Sequence, residues 1–261
     1  MSEPSLQIER EGFVARVWLN RPDVRNAFNE SVIAELRDAF DRFSADSTLR
    51  AIVLGGRGKA FCAGADLSWM KEMAGYTWEQ NRADAQALAD MLWAIYRCPV
   101  PVVGRVHGDC YAGGVGLAAV CDVLIAADAA NFCLSEAKLG LLPATISPYV
   151  IRAMGEQAAR RYFVTAERFS AAQAAALGFV HEVCASDALD AKVDEIVAAL
   201  VANGPMALRA CKALVQDVAG QPIGAALREE TARRIADVRA SDEGREGVQS
   251  FLGKRKPSWL G

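Results

Sequence analysis

Apolar residues recur along this chain in two spacings, one typical of short buried strands and one typical of amphipathic helices. Apolar runs predict strands at 13–19, 51–54, 100–106, 123–126 and 131–134. Segment 29–43 carries apolar residues at the spacing of one helix face. So does the segment from Thr77 to Pro99, where Thr77 and Gln80 form a capping pattern. The recurring order of strand, strand and helix indicates an α/β protein whose last part, from about 188 to 253, is helical.

Composition narrows the possible classes of protein. The chain has 261 residues, 52% of them apolar, which is enough to bury a large core in one domain or in a domain with an appendage. A net charge of -3 gives no electrostatic case for binding nucleic acid. The sequence contains no long uncharged apolar run, and no basic N-terminal segment is followed by an apolar core. We therefore expect neither membrane insertion nor export.

The cysteine pattern indicates where the protein works. Seven cysteines occur without a C-x-x-C pair, and the two histidines lie far apart in sequence. Reduced thiols fit this pattern better than a disulfide framework or a zinc site. We therefore expect a cytoplasmic protein with no bound metal.

Two short glycine-bearing loops, 61–66 and 111–116, carry the candidate chemistry. Each follows a strand-like run and leads into a helix-compatible stretch, so each can present unpaired backbone N–H groups to a developing oxyanion. A glycine-rich loop taken alone more often marks only a turn. Glu136 follows the strand-like run 131–134, and taken alone it reads as a capping or surface residue.

The order of these elements resembles the crotonase superfamily, also called the enoyl-CoA hydratase/isomerase family. The resemblance covers almost the full length and is closest to bacterial methylglutaconyl-CoA hydratase-like members. It rests on these segments: Leu19-Asn20-Arg21-Pro22 with Asn26-Ala27-Phe28; Lys59-Ala60-Phe61 with Gly64-Ala65-Asp66; His107-Gly108, Gly113-Gly114 and Cys121-Asp122; Phe132, Glu136 and Leu139-Gly140; Thr165 to Phe169 with Leu177 to Val180; and Phe251 with Lys254 to Pro257.

The resemblance implies a fold and a mode of assembly. Residues 1–195 would form a spiral of ββα units with the site for a coenzyme A thioester, and 196–261 a C-terminal helical oligomerisation region. The family's C-terminal helices usually pack across a trimer interface, so we expect a homotrimer or a hexamer of two trimers. The partner is an acyl-CoA substrate, and no cofactor is expected because coenzyme A is part of that substrate.

The resemblance also implies catalytic roles. The backbone N–H groups of Ala65 and Gly113 would hold the thioester oxygen as it becomes an enolate, and Glu136 would move a proton to or from carbon. Hydratases of this family that use two glutamates carry the first of them where this chain has Gly116. One carboxylate is sufficient for moving a double bond from C3 to C2, and hydration is also possible with one.

Substrate-binding candidates follow from the same comparison. Arg25, Lys59 and Lys254 are the cations expected near the phosphates of coenzyme A, although each can also be an ordinary exposed charge. The residues expected to border the thioester, the pantetheine or the acyl group are Ala63, Asp66, Leu67, Ser68 and Gly116. Asp66 is also well suited to cap a helix. Donors for a distal carboxylate on the acyl group include Lys71, Lys138, Tyr149 and Arg152.

Three functions remain open at this point. The leading hypothesis is an enoyl-CoA hydratase that adds water across the 2,3 double bond of a branched, methylglutaconyl-like acyl-CoA. Segments 134–150 and 65–70 favour it, because they are similar to bacterial methylglutaconyl-CoA hydratases that also carry glycine at the position of Gly116. The alternatives are a Δ3,Δ2-enoyl-CoA isomerase and a catalytically silent acyl-CoA binder on the same fold.

Overall fold

The computed structural model describes residues 4–261, which form ten strands and eleven α-helices. The strands are β1 (Leu6–Glu11), β2 (Val14–Leu19), β3 (Ala51–Gly56), β4 (Ala60–Cys62), β5 (Val102–Val106), β6 (Asp109–Tyr111), β7 (Val123–Ala127), β8 (Asn131–Cys133), β9 (Arg168–Ser170) and β10 (Glu182–Cys184). The helices are α1 (Glu30–Ala45), α2 (Leu67–Met73), α3 (Trp78–Arg97), α4 (Gly113–Ala119), α5 (Ser147–Met154), α6 (Glu156–Thr165), α7 (Ala171–Ala176), α8 (Leu189–Ala202), α9 (Pro205–Val218), α10 (Ala225–Ala240) and α11 (Asp242–Leu252).

The strands form two sheets that the chain visits in turn. The larger has the order β1-β2-β3-β5-β7-β10 and the smaller the order β4-β6-β8-β9. From β3 to β8, each strand of the larger sheet is followed by one of the smaller sheet and then by helix. The pairs β3·β5, β5·β7, β4·β6 and β6·β8 are all parallel. This is the expected spiral of ββα units, so the predicted fold class is confirmed.

Local signals fix several helix boundaries. Asn29 caps α1 by accepting from the backbone N–H of Val32 at 3.0 Å. Thr77 and Gln80 form a reciprocal capping box at the start of α3, as the sequence predicts. Ser170 and Gln173 do the same for α7. The strand β1, which pairs with β2 in an antiparallel hairpin, was not predicted, because its outer edge position leaves its apolar pattern weak.

The core has two parts, one on each side of the larger sheet. The main cluster lies among the sheets and the helices α1, α3, α4 and α5, and the smaller one lies between the larger sheet and α8. All six residues of β3 are buried, as expected for a central parallel strand. The predicted division of the chain after residue 195 falls within α8 and stays a prediction.

Two features of residues 4–261 bear on membrane insertion and metal binding. None of the described helices alone is long and apolar enough to cross a membrane, whereas the pair 186–202 and 205–218, bent by 107°, passes that test by length and composition only. Within the same residues, no group of three or more His, Cys, Asp or Glu side chains is arranged to hold a metal ion.

Candidate active site

Three segments that carry candidate chemistry leave the ends of three adjacent parallel strands. Ala65 follows β4, Gly113 follows β6 and Glu136 follows β8. Neighbouring strands lie about 4.8 Å apart, so the three strand ends span about 10 Å. The smaller sheet therefore gathers, at one edge, residues that are up to 71 positions apart in the sequence.

Ala65 has a backbone N–H that points away from Phe28, the residue that forms an isolated parallel bridge with it. Phe28 donates its N–H to the Gly64 carbonyl at 2.7 Å and accepts from the Asp66 N–H at 2.7 Å. In such a parallel bridge the residue between the two bonded positions turns its own N–H to the opposite side. No acceptor for the Ala65 N–H exists among residues 4–261. This donor is available for a ligand.

Gly64 allows the two glycine-bearing loops to touch. Its φ is +93°, in the region that favours glycine, and a Cβ built on it would lie 3.0 Å from the Cβ of Ala112 and 3.3 Å from the Tyr111 carbonyl oxygen. A side chain at this position would push the loops apart. The close approach brings the segments that carry Ala65 and Gly113 side by side.

Ala112 aims the second donor through a strained backbone. It has φ 47° and ψ -119°, a region that a residue with a Cβ rarely adopts and that costs roughly 1–3 kcal/mol. Its N–H donates to the Cys133 carbonyl at 2.8 Å, and its carbonyl accepts from the Val115 N–H at 2.9 Å. The sharp turn starts α4 at Gly113, whose N–H has no acceptor among the described residues.

Glu136 carries an unpaired carboxylate oxygen inside the protein. The residue is half-buried, and its Oε2 is shielded from solvent without a hydrogen-bond partner in the described structure. Burial raises the pKa of this carboxyl above the usual range, while a backbone hydrogen bond lowers it by less. A carboxyl with a raised pKa and a free oxygen suits proton transfer near neutral pH.

Gly116 lies one turn into α4, on the same side of the helix as Gly113. A Cβ built on Gly116 would lie 2.2 Å from Cγ2 and 2.8 Å from Cβ of Ile146, which precedes α5 and is 2% exposed. The space that a side chain at this position would need is therefore filled by Ile146. Glu136 supplies the one unpartnered buried carboxylate oxygen among the described residues, and an apolar side chain fills the space that a carboxylate at position 116 would need.

Comparison with known proteins agrees with this geometry. A family model described as enoyl-CoA hydratase/isomerase matches residues 9–261. The chain belongs to the enoyl-CoA hydratase/isomerase family. It is a crotonase-type enzyme, and its fold is shared with solved members of that family.

Three known proteins illustrate the similarity of this chain to other members of the family. A crystal structure of an enoyl-CoA hydratase from Shewanella pealeana has 41% identity and a TM-score of 0.94, covering 98% of this chain and 96% of that one. The structure of Pseudomonas aeruginosa AtuE has 38% identity and a TM-score of 0.95, covering 98% and 100%. The 2,3-dehydroadipyl-CoA hydratase of Escherichia coli is 31% identical over the whole of both chains.

Some of the expected substrate-binding residues lie together, beside the loop of Ala65. The Arg25 carbonyl accepts from the Ala63 N–H at 3.0 Å, which places Arg25 against the loop of Ala65. The Arg25 side chain is 66% exposed and lies 3.7 Å from Asp109. Its guanidinium is therefore only weakly engaged.

Asp66 is 5% exposed and caps α2, as the sequence predicts. It accepts from the Ser68 N–H at 2.8 Å and from the Ser68 hydroxyl at 2.5 Å. Its other oxygen lies 2.7 Å from Arg21. The Ser68 hydrogen bonds, followed by the interaction with Arg21, hold the pKa of this carboxyl below its usual range. A contact between Asp66 and substrate stays a prediction.

The remaining candidates are spread over the surface. Lys59 and Lys254 are exposed, and neither has a carboxylate within ion-pair distance among residues 4–261. Leu67 is 76% exposed. In the basic tail, Arg255 already pairs with Glu246 at 2.6 Å. Their roles toward coenzyme A stay predictions, because no ligand tests them.

Three residues that contribute to the site were not singled out from the sequence for any role. Arg21 and Phe28 occur within motifs that carry the family resemblance, so that resemblance was the one available signal. Ile146 gives none, because an isoleucine 30 positions from Gly116 does not reveal the contact between them. Near the site, Trp69 belongs to the main core and Met73 packs against it.

Proposed function

We propose that this protein hydrates the 2,3 double bond of an acyl-CoA with a branched, methylglutaconyl-like acyl group. The observation that carries the proposal is the combination at one sheet edge of two unpaired backbone N–H groups with the buried, unpartnered oxygen of Glu136. The donors are held before charge develops, so they need no rearrangement when the enolate forms.

The proposed chemistry needs only these three groups. Glu136 takes a proton from water, and the water oxygen forms a bond to C3 of the enoyl group. The electron pair of the C2–C3 double bond moves toward the thioester oxygen, which accepts hydrogen bonds from Ala65 and Gly113. Glu136 then returns its proton to C2, and the thioester carbonyl re-forms. No resident metal or cofactor takes part in these steps, and coenzyme A is carried by the substrate.

The branched acyl group is the finer part of the proposal. It is supported by the segments around Glu136 and Asp66. Hydration, as distinct from isomerisation, is supported by two of the relatives above, which are described as hydratases. For a distal carboxylate, Arg152 offers a guanidinium that donates to the Tyr96 hydroxyl at 2.7 Å and has no acidic partner in the described chain. For the phosphates of coenzyme A, we propose Arg25, Lys59 and Lys254. Ala63, Leu67 and Ser68 would border the thioester arm, and Gly116 the acyl group.

An isomerase that moves a double bond from C3 to C2 is the second candidate. It is favoured by the contact between Gly116 and Ile146, because that contact leaves no room for a second catalytic carboxylate at position 116. A single base can remove a proton from C2 and return it at C4.

Self-association is also proposed. None of the 16 residues of α10 is buried within the single chain, and apolar side chains of the last two helices are exposed, Ile235 of α10 by 48% and Phe251 near the end of α11 by 82%. Apolar surface of this kind supports a trimer or a hexamer built through the C-terminal helices. The seven cysteines are free, which supports a reducing, cytoplasmic location.

Mass spectrometry in H₂¹⁸O tests the proposal. The protein is incubated with crotonyl-CoA, 3-methylcrotonyl-CoA, 3-methylglutaconyl-CoA and a 3-enoyl-CoA. A labelled hydroxyacyl product, formed fastest from 3-methylglutaconyl-CoA, is the expected result. Migration of the double bond without label would identify an isomerase, and tight binding with no conversion of any substrate would identify a silent acyl-CoA binder. Glu136→Gln is the matched inactive control.

A further inference from the structure

Arg21 joins the two loops that meet behind the first oxyanion donor. One terminal nitrogen of its guanidinium donates to the Ala27 carbonyl at 2.6 Å, and the other donates to the Asp66 carboxylate at 2.7 Å. The side chains of Arg21 and Asp66 are only 23% and 6% exposed. The residue directly before Asp66 is Ala65, so this ion pair lies one peptide unit from the donor.

Phe28 lies between the two donors and follows the carbonyl that Arg21 holds. Its backbone makes both hydrogen bonds that flank Ala65. Its ring covers Gly113, since a Cβ built on Gly113 would lie 2.8 Å from the Phe28 Cε2. One fully buried residue thus touches the segments of both donors, and its position determines how far apart they are.

We propose that Arg21 is a positioning residue for the oxyanion hole. By bonding Ala27 and Asp66 at once, it fixes Phe28 against the Ala65 loop and so sets the direction of the Ala65 N–H and its separation from Gly113. The inference rests on the proposed function, because it assumes that these two N–H groups hold a thioester oxygen.

Charge gives Arg21 a second effect on the same donor. Asp66 directly follows the donor Ala65 and is 5% exposed, and an uncompensated carboxylate this close to Ala65 would repel an enolate oxygen held by the Ala65 N–H. The Arg21 guanidinium neutralises it. Lysine keeps the charge but donates from one nitrogen on a flexible stem, so it does not reproduce the fixed geometry in which two guanidinium nitrogens each bond one acceptor.

The test compares Arg21→Lys, which keeps the charge, with Arg21→Met, which removes it. The matched control is Arg209→Met, since the Arg209 guanidinium also bonds two groups, the Asp46 and Leu49 carbonyls, at 2.6 and 3.1 Å. The probe is acetoacetyl-CoA, whose enolate absorbs in the near ultraviolet and reports oxyanion stabilisation without turnover. Binding of free coenzyme A, which has no thioester oxygen, reports the rest of the site.

We expect Arg21→Lys to lower the enolate fraction of bound acetoacetyl-CoA by about tenfold. The kcat on the best substrate should fall by about 10- to 100-fold, which does not exceed the effect of losing a whole oxyanion donor. The Kd for coenzyme A and the KM should change by less than about threefold. Arg21→Met should show a larger loss, and Arg209→Met none.

Two outcomes overturn the inference in distinguishable ways. If the wild-type protein bound acetoacetyl-CoA without forming the enolate, the oxyanion assignment itself would fail, and the role of Arg21 with it. If wild-type enolate formed and Arg21→Lys preserved it while remaining folded, only the positioning role would be wrong. Thermal unfolding of each variant identifies any that fails to fold. If Arg21→Met does not fold, Arg21→Lys, which retains the charge opposite Asp66, tests the positioning role by itself.

Discussion

Replacing Gly116 by alanine is the most direct test of how this site is built. A Cβ at this position would lie 2.2 Å from Ile146 Cγ2, whereas carbon atoms in ordinary contact are about 3.5–4.0 Å apart. Ile146 is buried and β-branched, so it has no alternative rotamer that clears the overlap easily. One of the two segments, α4 or the start of α5, must move.

The expected magnitude combines two opposing effects. Overpacking of a core typically costs about 1–3 kcal/mol, and an overlap this deep belongs at the upper end, about 3 kcal/mol. Alanine in place of glycine within a helix gains about 1 kcal/mol. Gly116→Ala should therefore lower the free energy of unfolding by about 2 kcal/mol. Activity should fall as well, because α4 begins at the donor Gly113.

Urea unfolding followed by circular dichroism, at one protein concentration, measures this cost in three backgrounds. Ile146→Ala removes Cγ2, so Gly116→Ala should be less unfavourable there by about 1 kcal/mol or more. Ile146→Val keeps Cβ and Cγ2, so in that control the cost should be unchanged. If Gly116→Ala proved as stable as the parent, or cost the same in the alanine and valine backgrounds, the packing argument would be refuted.

Three further predictions concern the catalytic groups and a distant control. Glu136→Gln should abolish turnover. It should also raise the melting temperature at pH 8 but not at pH 4. The pKa of Glu136 is raised in the folded protein, so the folded state binds this proton more tightly than the unfolded state does. The stability of the wild-type protein therefore falls as pH rises through the folded pKa, and glutamine, which carries no charge, avoids that loss. Ala65→Pro, which removes one backbone donor, should lower kcat by about 10²- to 10³-fold in steady-state assays, and retained kcat in a folded variant would contradict its role. Thr77→Ala breaks the capping box of α3 and should cost about 1 kcal/mol in urea unfolding while leaving kcat unchanged.

The parts of the fold that the sequence predicts are those determined by local chemistry. Thr77 with Gln80, and Asp66, each cap the helix that follows, because a hydroxyl or carboxylate can satisfy the free N–H groups of its own first turn. The family resemblance supplied what local chemistry cannot, namely the alternation of strands between two sheets. Neither source predicted the edge strand β1, whose exposed residues leave little pattern.

The candidate site divides in the same way. The motif order placed Ala65, Gly113 and Glu136 at strand ends, and the structure has them at three neighbouring ends of one sheet. The contacts that hold them there are long-range, such as the ion pair of Arg21 with Asp66. Alanine gives no sign of the left-handed φ that Ala112 adopts, since glycine is the residue that usually stands there. Tertiary contacts override that local preference.

Several departures from local rules lie together at this sheet edge. Ala112 holds a backbone conformation that alanine disfavours, Glu136 keeps a buried carboxylate oxygen without a partner, and two backbone N–H groups stay unpaired. Each lowers the stability of the folded protein. Each also helps to provide either a hydrogen-bond donor for a ligand or an acceptor for a proton. Departures of this kind are expected at functional sites and are compensated by packing elsewhere, as with Phe28 and Ile146 here. The clustering therefore supports the site on physical grounds that do not depend on resemblance to any relative.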